Sequence, residues 1–421
     1  MEKYDLIVVG AGAAGIMAAI TAARHLKQVL LIEKLPSVGA KLKATGGGRC
    51  NLTNTLSNEE FMNRFGRESR FMMPALKAMN NNDLMRFFAE IGVECHAPDG
   101  YRVFPVTHNS MSIVDAFEKE LARLKIKTLC STRVTKIDSD GAKITGVDAG
   151  HKHYSCSNLI VATGGLGFPT LGAEGEGHSM AAALGHKVTE LFPAMLPLRT
   201  KEAWVKNCRA DTVAKVEIKI NLPRSSKQHA RGDLIFTANG IRGPVILDFA
   251  REITPLLARL GEVPVLVNLT QGMNEEDIKE RLKKEKAKSP QGSILEHLGA
   301  FMAKPLAREL ILIAGLDPQK ALHIQPGADR ERLFKILAWT PLTIIGHDGF
   351  AGAMITRGGI ALKEICPETL ESRLLKGLYF CGEILDLDGP CGGFNLQWSF
   401  SSGFLAAHLG DLAQKNQTDR V

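Results

Sequence analysis

The stretch DLIVVGAGAAGIMAAITAARHLKQVLLIEK, residues 5–34, decides the fold of the N-terminal part of the chain. It predicts a buried strand, a glycine-rich turn, a helix and a second strand that ends at an acid. Gly10 allows the tight turn out of the strand, Gly12 lets the backbone approach a pyrophosphate, and Gly15 lets the helix pack against the strand. Glu33 follows at the spacing from which a carboxylate accepts hydrogen bonds from ribose hydroxyls. The stretch therefore predicts a β-α-β unit that binds a dinucleotide with its pyrophosphate at the helix N-terminus.

A second segment of the same kind lies near the C-terminus. LYFCGE, residues 378–383, predicts a short apolar strand that ends at Gly382 and Glu383. GGFNLQWSFSSGFLAAHL, residues 392–409, predicts a glycine turn followed by a helix rich in small residues. We expect this turn to close the nucleotide site from the other end of the chain, which favours FAD over the shorter NAD. The alternative is an ordinary C-terminal βα unit.

Two further glycine segments lie between these ends. GAKLKATGGGRCNLTN, residues 39–54, cannot form a regular helix or a central strand through its three consecutive glycines, so it predicts a tight loop. Arg49 offers charge-assisted contacts, and Thr45, Asn51 and Asn54 offer polar ones, to a flavin edge or a pyrophosphate. A surface turn is the alternative. SNLIVATGG predicts an apolar strand whose last residues, 163–165, run close beneath a ligand.

Length and composition indicate a globular protein of two or three domains. The 421 residues exceed one ordinary core, and 45% of them are hydrophobic while 23% are charged. No apolar run reaches the ~18 residues that a membrane-spanning helix needs, and we expect no metal site because the eight cysteines are scattered. The chain enters its first strand directly, without a signal peptide, so we expect a cytoplasmic protein.

The character of the sequence changes near residue 190. Short β-rich pieces (DTVAKVEIKINL, GDLIFTANGIRGPVILDFA and PVLVNL) continue to about Pro264 and predict a small antiparallel barrel or sandwich. Helical periodicity follows in NEEDIKERLKKEKAKSP, SILEHLGAFMAKPLARELILIAG and DRERLFKILAWT. After about Asp348 the chain returns to glycine-rich β-type sequence.

With all these segments in order, the chain closely resembles the bacterial BaiN/RdsA-type flavoproteins, also called the YhiN family, over nearly its whole length. The resemblance implies an α/β fold: a three-layer, Rossmann-like FAD-binding domain of the glutathione-reductase type, interrupted by a small β-barrel and a helical subdomain. We expect the FAD-binding domain at 1–190 and 346–421, the barrel at 191–268 and 333–345, and the helical subdomain at 269–332.

The resemblance also implies the residues that contact FAD. Carried over position by position, they are Gly10, Gly12, Ala13, Ala14, Gly15, Glu33, Lys34, Thr45, Gly46, Gly48, Arg49, Cys50, Asn51, Thr163, Gly164, Gly165, Gly382, Glu383, Gly393, Phe394, Asn395 and Leu396. We also expect Val134, in STRVTKI, to touch the adenine.

The active site lies wherever the flavin ring lies, because the flavin carries the redox chemistry. The candidates for catalytic roles are Arg49, Cys50, Asn51, Tyr101, Arg102, Asn395 and Gln397. Tyr101 could protonate a reduced substrate and Arg102 could hold an anionic one, although both also have a purely structural interpretation. No second G-x-G-x-x-G occurs between 190 and 345, so NAD(P)H would bind transiently over the flavin, or electrons would come from another donor.

Basic residues in the barrel region support a competing interpretation. The chain carries a net charge of +7. Its stretch from 199 to 231 holds three acids and nine basic residues: Arg199, Lys201, Lys206, Arg209, Lys215, Lys219, Arg224, Lys227 and Arg231. Such a surface could follow a nucleic-acid backbone. A solvated barrel surface is the preferred alternative, because Trp204 is the only aromatic residue in the stretch.

The sequence as a whole predicts an FAD-dependent oxidoreductase that reduces an unsaturated or carbonyl-conjugated small molecule with electrons from NAD(P)H. A flavin-dependent RNA-modifying or RNA-binding protein is the second interpretation. A non-catalytic FAD-binding protein is the third.

Overall fold

The first strand begins at Lys3 and leads directly into the glycine turn, as the sequence predicts. A computed structural model describes residues 3–25, 27–223, 225 and 228–411. Its strands are β1 (Lys3–Val9), β2 (Val29–Ile32), β3 (Thr53–Asn54), β4 (Cys95–His96), β5 (Arg102–Pro105), β6 (Lys127–Leu129), β7 (Val134–Ser139), β8 (Ile144–Ala149), β9 (Lys152–Val161), β10 (Phe192–Ala194), β11 (Leu198–Thr200), β12 (Thr212–Ile220), β13 (His229–Phe236), β14 (Gly240–Arg242), β15 (Val263–Asn268), β16 (Thr340–His347), β17 (Ile355–Arg357) and β18 (Leu378–Phe380).

Thirteen α-helices accompany these strands in the described residues. They are α1 (Ala13–Arg24), α2 (Ala40–Ala44), α3 (Asn58–Met62), α4 (Met73–Ala78), α5 (Asn81–Glu90), α6 (Ser110–Arg123), α7 (Glu176–Ala183), α8 (Pro244–Leu260), α9 (Glu275–Lys288), α10 (Ile294–Gly299), α11 (Lys304–Ile313), α12 (Gly327–Ala338) and α13 (Phe394–Ala407). Short 3-10 helices include Thr45–Gly48, Leu322–Ile324 and Gly382–Ile384. None of the helices that the structure describes is long and apolar enough to cross a membrane.

The chain divides into two compact units. The first is the described part of Met1–Phe192 and Met354–Val421, and the second is the described part of Pro193–Ala353. Each unit has its own hydrophobic core. The finer division of the second unit into a barrel and a helical subdomain stays a prediction.

The first unit is built on a sheet whose middle is parallel. Five strands lie parallel in the order β6-β2-β1-β9-β18, and β8 and β7 extend the sheet from β9 as antiparallel strands. β9 serves both parts because it is long: its first residues pair with β8, and Leu159 to Val161 pair with β18. The carboxyl ends of parallel strands meet at one edge. The segments that follow β1, β2, β9 and β18 therefore gather there, and the predicted Rossmann-type fold is confirmed.

Small and apolar residues bring helices close to this sheet. All four residues of β2 and the last four of β1 are buried, as expected for strands covered on both faces. Nine consecutive residues of α1, from Ala14 to Ala22, are also buried. α13 packs against α1, because a Cβ on Gly403 would lie only 2.3 Å from the Ala14 carbonyl oxygen. The two helices that begin at glycine turns are thus direct neighbours.

The second unit contains a closed antiparallel barrel with the strand order β11-β14-β13-β12-β15-β16. The predicted small barrel is therefore confirmed. Helices α9 to α12 lie in the chain between β15 and β16. Buried residues of these helices, such as Leu282 and Leu310, belong to the same core as barrel residues such as Val216 and Ile344.

One part of the predicted β-rich stretch is wrong. PVILDFA, which we expected to belong to β-type sequence, begins the 17-residue helix α8. Pro244 occupies the first turn, where its missing N–H costs no hydrogen bond. The buried residues Val245, Ile246, Phe249, Ile253 and Leu257 recur at helical spacing. This periodicity outweighs the β-propensity of the individual residues.

Candidate functional site

The glycine turn after β1 is tightly packed at two positions and open at a third. Gly10 has φ +98°, and a Cβ there would lie 2.6 Å from the Ala162 carbonyl oxygen. A Cβ on Gly15 would lie 1.8 Å from the carbonyl oxygen of Gly10. A Cβ on Gly12 would meet no described atom within 4 Å. Gly10 and Gly15 therefore let strand and helix approach each other, whereas the space beside Gly12 is open to a ligand.

The N-terminus of α1 presents backbone donors at this turn. Gly12 is the N-cap residue, and no side chain caps the helix. The first bond inside the helix is donated by the Ile16 amide to the Gly12 carbonyl oxygen at 3.0 Å. The amides of Ala13, Ala14 and Gly15 precede it and have no acceptor within the helix. Together with the helix dipole, they form a site suited to an anion such as a pyrophosphate.

Glu33 stands beside this turn at the end of β2. One carboxylate oxygen accepts from the Ala11 amide at 2.7 Å, and the other accepts from the Leu35 amide at 2.9 Å. Each oxygen keeps a further lone pair that can accept from a ribose hydroxyl. The Thr132 amide donates to the Glu33 carbonyl oxygen at 2.9 Å, which brings the buried residue Val134 near this end of the site.

Lys34, a predicted FAD contact, is held by two acids. Its ammonium lies 3.2 Å from a carboxylate oxygen of Glu174 and also pairs with Glu176. Arg133 pairs with both of these carboxylates. The four side chains form an ion-pair network. Through Lys34, this network connects the segment that follows Glu33 to the segment that holds Glu174 and Glu176.

The predicted tight loop is confirmed at the three glycines after Thr45. Gly46, Gly47 and Gly48 have φ values of 58°, 66° and 84°. The Cys50 amide closes the loop by donating to the Thr45 carbonyl oxygen at 3.0 Å. A Cβ on Gly47 or Gly48 would meet no described atom within 4 Å. The outer face of the loop is therefore open.

Two guanidinium groups lie near one aromatic ring beside this loop. The exposed Arg49 side chain lies over the Phe104 ring at 5.1 Å, and Arg102 approaches the same ring at 5.9 Å. Arg102 also donates to a carboxylate oxygen of Asp99 at 2.6 Å. Backbone and side-chain hydrogen bonds from Arg102 hold the pKa of Asp99 down at about 2. The charge of Arg102 is therefore partly neutralised, whereas Arg49 has no carboxylate partner among the described residues.

Cys50 lies inside the loop rather than on its surface. The residue is fully buried, with φ 57°. Burial raises the pKa of its thiol to about 11. The thiol is therefore neutral near pH 7 and does not have the properties of a nucleophile, which requires the thiolate.

The same loop is fastened to the start of α13. A Cβ on Gly393 would lie 2.5 Å from the Thr53 carbonyl carbon and oxygen. The side-chain amide of Asn54 donates to the Gly392 carbonyl oxygen at 3.0 Å. With the side-chain amide of Asn51 oriented to satisfy both of its ends, its oxygen accepts from the Gly393 amide at 3.1 Å. The structure thus brings two predicted site segments, more than 300 residues apart in the chain, into contact.

The turn after β18 is joined to α13 and α1. The Gly382 amide donates to the Ser402 hydroxyl at 2.9 Å, and the Trp398 indole donates to the Gly382 carbonyl oxygen at 3.2 Å. Gly382 has φ +80°, and a Cβ there would lie 2.9 Å from the Ala14 Cβ. The N-terminal and C-terminal glycine segments therefore share one edge of the sheet.

Glu383 is held in place next to the ATGG segment. Its carboxylate accepts from the Lys41 ammonium at 2.8 Å and from the Thr356 amide at 2.9 Å. A Cβ on Gly165 would lie 2.3 Å from the Thr356 hydroxyl and 2.8 Å from the Glu383 carboxylate. Gly164 has φ +71°. The ATGG turn therefore packs directly on the C-terminal segment.

A buried hydroxyl at this edge has no partner in the described part of the chain. It belongs to Thr163, which lies two residues after the carboxyl end of β9 in the chain. The edge thus combines this hydroxyl, an uncapped helix N-terminus and the open space at Gly12. These features fit the pyrophosphate and ribose of FAD.

The comparisons with known proteins identify the family of the chain. Residues 4–409 match the model of a family described as "HI0933-like protein Rossmann domain". The chain belongs to this family.

Two curated relatives match this HI0933-like chain over almost their whole length. One is the "3-dehydro-bile acid delta(4,6)-reductase" of Clostridium scindens, which is 32% identical over 95% of this chain and 97% of the relative. The other is the "Ribosomal RNA dihydrouridine synthase" of Escherichia coli, 28% identical over 97% of this chain and 98% of the relative. The predicted membership of the BaiN/RdsA-type family is confirmed.

A solved structure supports the same fold. The 3-ketosteroid delta1-dehydrogenase from Sterolibacterium denitrificans superposes with a TM-score of 0.52 at 12% identity, covering 97% of this chain and 99% of that one. At this identity the likeness concerns the fold alone. Fold and family membership together make this HI0933-like protein an FAD-dependent oxidoreductase.

Two of the remaining catalytic candidates, Tyr101 and Gln397, have different surroundings. Tyr101 is half-buried, and its ring would lie 3.5 Å from a Cβ on Gly392, beside the start of α13. Gln397 is buried, and its amide nitrogen donates to the Met79 carbonyl oxygen at 3.1 Å and to the Ser401 hydroxyl at 2.8 Å. These bonds indicate a structural role for Gln397.

The other predicted contacts on the α13 turn are also held by the protein. Asn395 bonds the Gly389 backbone twice, at 2.8 and 2.9 Å. Phe394 is buried, with its ring centroid 4.8 Å from that of Phe61, and Leu396 is half-buried. Contact of these three residues with FAD stays a prediction.

Several residues that organise the site were not predicted. They are Lys41, Thr356, Trp398 and Ser402, together with the acids Glu174 and Glu176. Trp398 and Ser402 lie four residues apart on the helix after the predicted turn, which was an available signal for a shared helix face. The partners of Lys41 and Lys34 lie 342 and 142 residues away, and no local pattern marks them.

One side-chain cluster has the composition of a cation site. Ligand atoms of Asp138, Asp148 and His153 lie within 4.8 Å of one another. However, the Lys136 ammonium lies 2.6 Å from Asp138, and the His153 ring lies 2.9 Å from Asp148. These side chains therefore already have partners within the protein.

Proposed function

We propose that this protein is an FAD-dependent reductase of carbon–carbon double bonds conjugated to a carbonyl group, with NAD(P)H as electron donor. The full-length relative named as a delta(4,6)-reductase carries this proposal, because its printed substrate is an unsaturated 3-dehydro-bile acid. We further place the reaction in the cytoplasm, where the eight free cysteines of the chain would remain reduced.

FAD, when bound, would supply the hydride chemistry. The amides at the start of α1 would hold its pyrophosphate, and Glu33 would accept from its ribose. The open glycine loop and the exposed Arg49 would face the reacting part of the site and favour negative charge there. Tyr101, beside the start of α13, is the proposed proton donor to the substrate carbon next to the carbonyl.

The proposal that NAD(P)H is the electron donor requires NAD(P)H to bind transiently, without a nucleotide-binding domain of its own. The sequence holds a single G-x-G-x-x-G, at residues 10–15. A nicotinamide donor would therefore share the open face of the flavin with the substrate, and the two half-reactions would alternate.

The absorption spectrum of the flavin under anaerobic conditions tests both the proposed electron donor and the proposed substrate class. The holoprotein is titrated first with NADH or NADPH and then with a steroid that carries a 4-ene-3-one, and the saturated 3-ketone serves as the matched control. We expect the flavin absorbance to bleach with the nicotinamide and to return with the enone only. Bleaching without reoxidation by the enone would contradict the substrate class, and no bleaching would contradict the donor.

A second candidate substrate is a uracil base of RNA. Its C5=C6 bond is conjugated to the C4 carbonyl, so its reduction uses the same chemistry as an enone. The relative named as a ribosomal RNA dihydrouridine synthase, at 28% identity over nearly both chains, favours this candidate. Mass spectrometry of ribosomal RNA from a strain that lacks the gene would show loss of a dihydrouridine. An unchanged modification pattern would exclude RNA as the substrate.

The barrel stretch itself offers less free charge than its sequence predicts. Arg199 pairs with Asp348, Lys201 lies 3.2 Å from Glu262, and the Lys219 ammonium lies 3.7 Å over the Trp339 ring. Two of the nine predicted basic residues, Arg224 and Lys227, lie outside the described residues. Lys206, Arg209, Lys215 and Arg231 are exposed and form no ion pair among the described residues, so the barrel stretch keeps part of its predicted basic surface.

A further inference from the structure

Helix α9 carries two lysines without an ion-pair partner. Four of its six basic residues pair with acids on the same helix: Lys279 with Glu276, Arg281 and Lys288 with Glu285, and Lys284 with Glu280. Lys283 and Lys286 pair with no acid in the part of the chain that the structure describes, and both are exposed. They lie three positions apart and hence on the same face of the helix.

These two lysines line one cavity, which we call the α9 cavity. It has a volume of about 180 Å³ and lies among α9, the chain after it, the 3-10 helix Leu322–Ile324 and α12. Leu282, Pro290, Leu322 and Phe334 form its apolar part. Lys279, Lys283 and Lys286, at positions i, i+4 and i+7, line the cavity from α9. The cavity thus combines apolar walls with two lysines that form no ion pair among the described residues.

Lys279 has a different role from the other two lysines. Its ammonium lies 3.0 Å from Glu276, 3.7 Å from Glu331 and 5.3 Å from the Phe334 ring centroid. The charge that is available to a ligand therefore comes from Lys283 and Lys286.

The size and chemistry of the cavity define a ligand class. Sites for whole drug-sized molecules span about 300–1,000 Å³, so this cavity admits a group of about one ring. A ring with phosphate attached matches the apolar walls and the two unpaired ammonium groups. A nucleotide has this composition. In RNA, only an unpaired nucleotide can place its base in a protein cavity.

We propose that the α9 cavity binds an unpaired nucleotide of RNA, with the base against the apolar walls and the adjoining phosphates at Lys283 and Lys286. The choice of RNA over a free nucleotide rests on the second candidate substrate above. The cavity itself belongs to the second unit and was not among the predicted site residues.

Binding of a fluorescent single-stranded oligouridylate to the full-length holoprotein, followed by anisotropy at several salt concentrations, tests this proposal. The variant K283Q/K286Q removes the two unpaired charges. The matched control K284Q/K288Q removes two paired charges from the same helix, outside the cavity. We expect K283Q/K286Q to weaken binding about tenfold and to lower the slope of log K against log salt by about 1.4, since each phosphate on a single strand contributes about 0.7. The control should stay within about twofold of the wild type.

A third variant tests the apolar part of the cavity. Ala321 lines it, so Ala321→Phe should fill it, weaken RNA binding and leave the salt slope unchanged. Circular dichroism and thermal melting verify that each variant folds.

Equal losses in K283Q/K286Q and K284Q/K288Q would overturn the proposal, because charge anywhere on the helix would then suffice. Displacement of the oligonucleotide by micromolar uridine monophosphate would assign the cavity to a free nucleotide and overturn the RNA assignment. Absence of RNA binding in a protein that still reduces enones would overturn this inference alone and leave the proposed reductase activity standing.

Discussion

The two glycine turns that open α1 and α13 look alike in the sequence and differ in what lies beside them. At Gly12, a Cβ would meet no described atom within 4 Å. At Gly393, a Cβ would lie 2.5 Å from the backbone of Thr53, and the amide of Gly393 is engaged by Asn51. The first glycine leaves space for a ligand, and the second lets two protein segments meet.

This difference shows that a glycine before a helix has two distinct uses. The α1 turn offers unengaged donors to a phosphate. The α13 turn instead fastens the loop at residues 45–54 to the helix that packs on α1. One turn contacts the cofactor directly in our proposal, and the other holds the walls of the site together.

The largest effect is expected from Gly393→Ala. A side chain at φ +84° costs about 1–2 kcal/mol, and the contact with Thr53 forces a backbone shift of about 1–3 kcal/mol more. The free energy of unfolding of the apoprotein should fall by about 2–5 kcal/mol in a urea titration. Gly47→Ala is the matched control, because Gly47 has φ +66° but open space around it. An equal loss in both variants would show that no packing constraint exists at Gly393.

Gly12→Ala should lower the affinity for FAD while leaving the stability of the apoprotein nearly unchanged. Gly12 has φ −84°, which alanine adopts readily, and its surroundings are open. We expect the unfolding free energy of the apoprotein to change by less than about 0.5 kcal/mol. The affinity for FAD should fall about tenfold or more, equal to about 1.4 kcal/mol, because the new methyl group occupies the space that the pyrophosphate needs. A fluorescence titration with FAD measures this, and unchanged affinity would place the pyrophosphate elsewhere.

Glu33→Gln should have a smaller effect on the same turn. The amide keeps one acceptor but loses one of the two bonds from the Ala11 and Leu35 amides, and its remaining bonds no longer involve a charge. We expect FAD to bind about fivefold more weakly, a loss of about 1 kcal/mol. Glu174→Gln breaks ion pairs to Lys34 and Arg133 without touching the turn, and should leave the affinity within about twofold. Equal losses in the two variants would assign the effect to net charge.

Local spacing explains what the sequence could predict about these turns. The strand, turn, helix and acid at residues 5–34 follow one another directly, so their pattern determines their contacts. The barrel strands were predictable for the same reason. The α8 helix was not, because the β-branched residues in PVILDFA have high β-propensity and only the longer periodicity up to Leu257 shows the buried face.

The different uses of the two turns could not be predicted, because they depend on distant partners. Gly12 and Gly393 each precede a helix rich in small residues. Only the folded chain shows that residues 51–54 lie against Gly393, whereas a Cβ on Gly12 would meet no described atom within 4 Å. The ion pairs of Lys34 and Lys41 depend on the tertiary fold in the same way.

The smallest effect concerns His178, which lies beside the 3-10 helix Gly382–Ile384 that follows β18. Its ring is buried and contacts the Ile384 carbonyl oxygen at 3.2 Å, and burial lowers its pKa. The unfolded chain therefore takes up a proton below about pH 6.5 that the folded chain does not, so stability is lost as pH falls below that value.

We expect His178→Gln to flatten the pH dependence of the unfolding free energy between pH 7 and pH 5.5, by at most about 1.4 kcal/mol per pH unit. Exchange of the exposed His323 for glutamine serves as the control for the loss of an imidazole from the surface. If His178→Gln keeps the wild-type slope, the packing beside the 3-10 helix Gly382–Ile384 admits a protonated ring. The close packing that distinguishes the C-terminal glycine segments from the open space at Gly12 would then not include the 3-10 helix Gly382–Ile384.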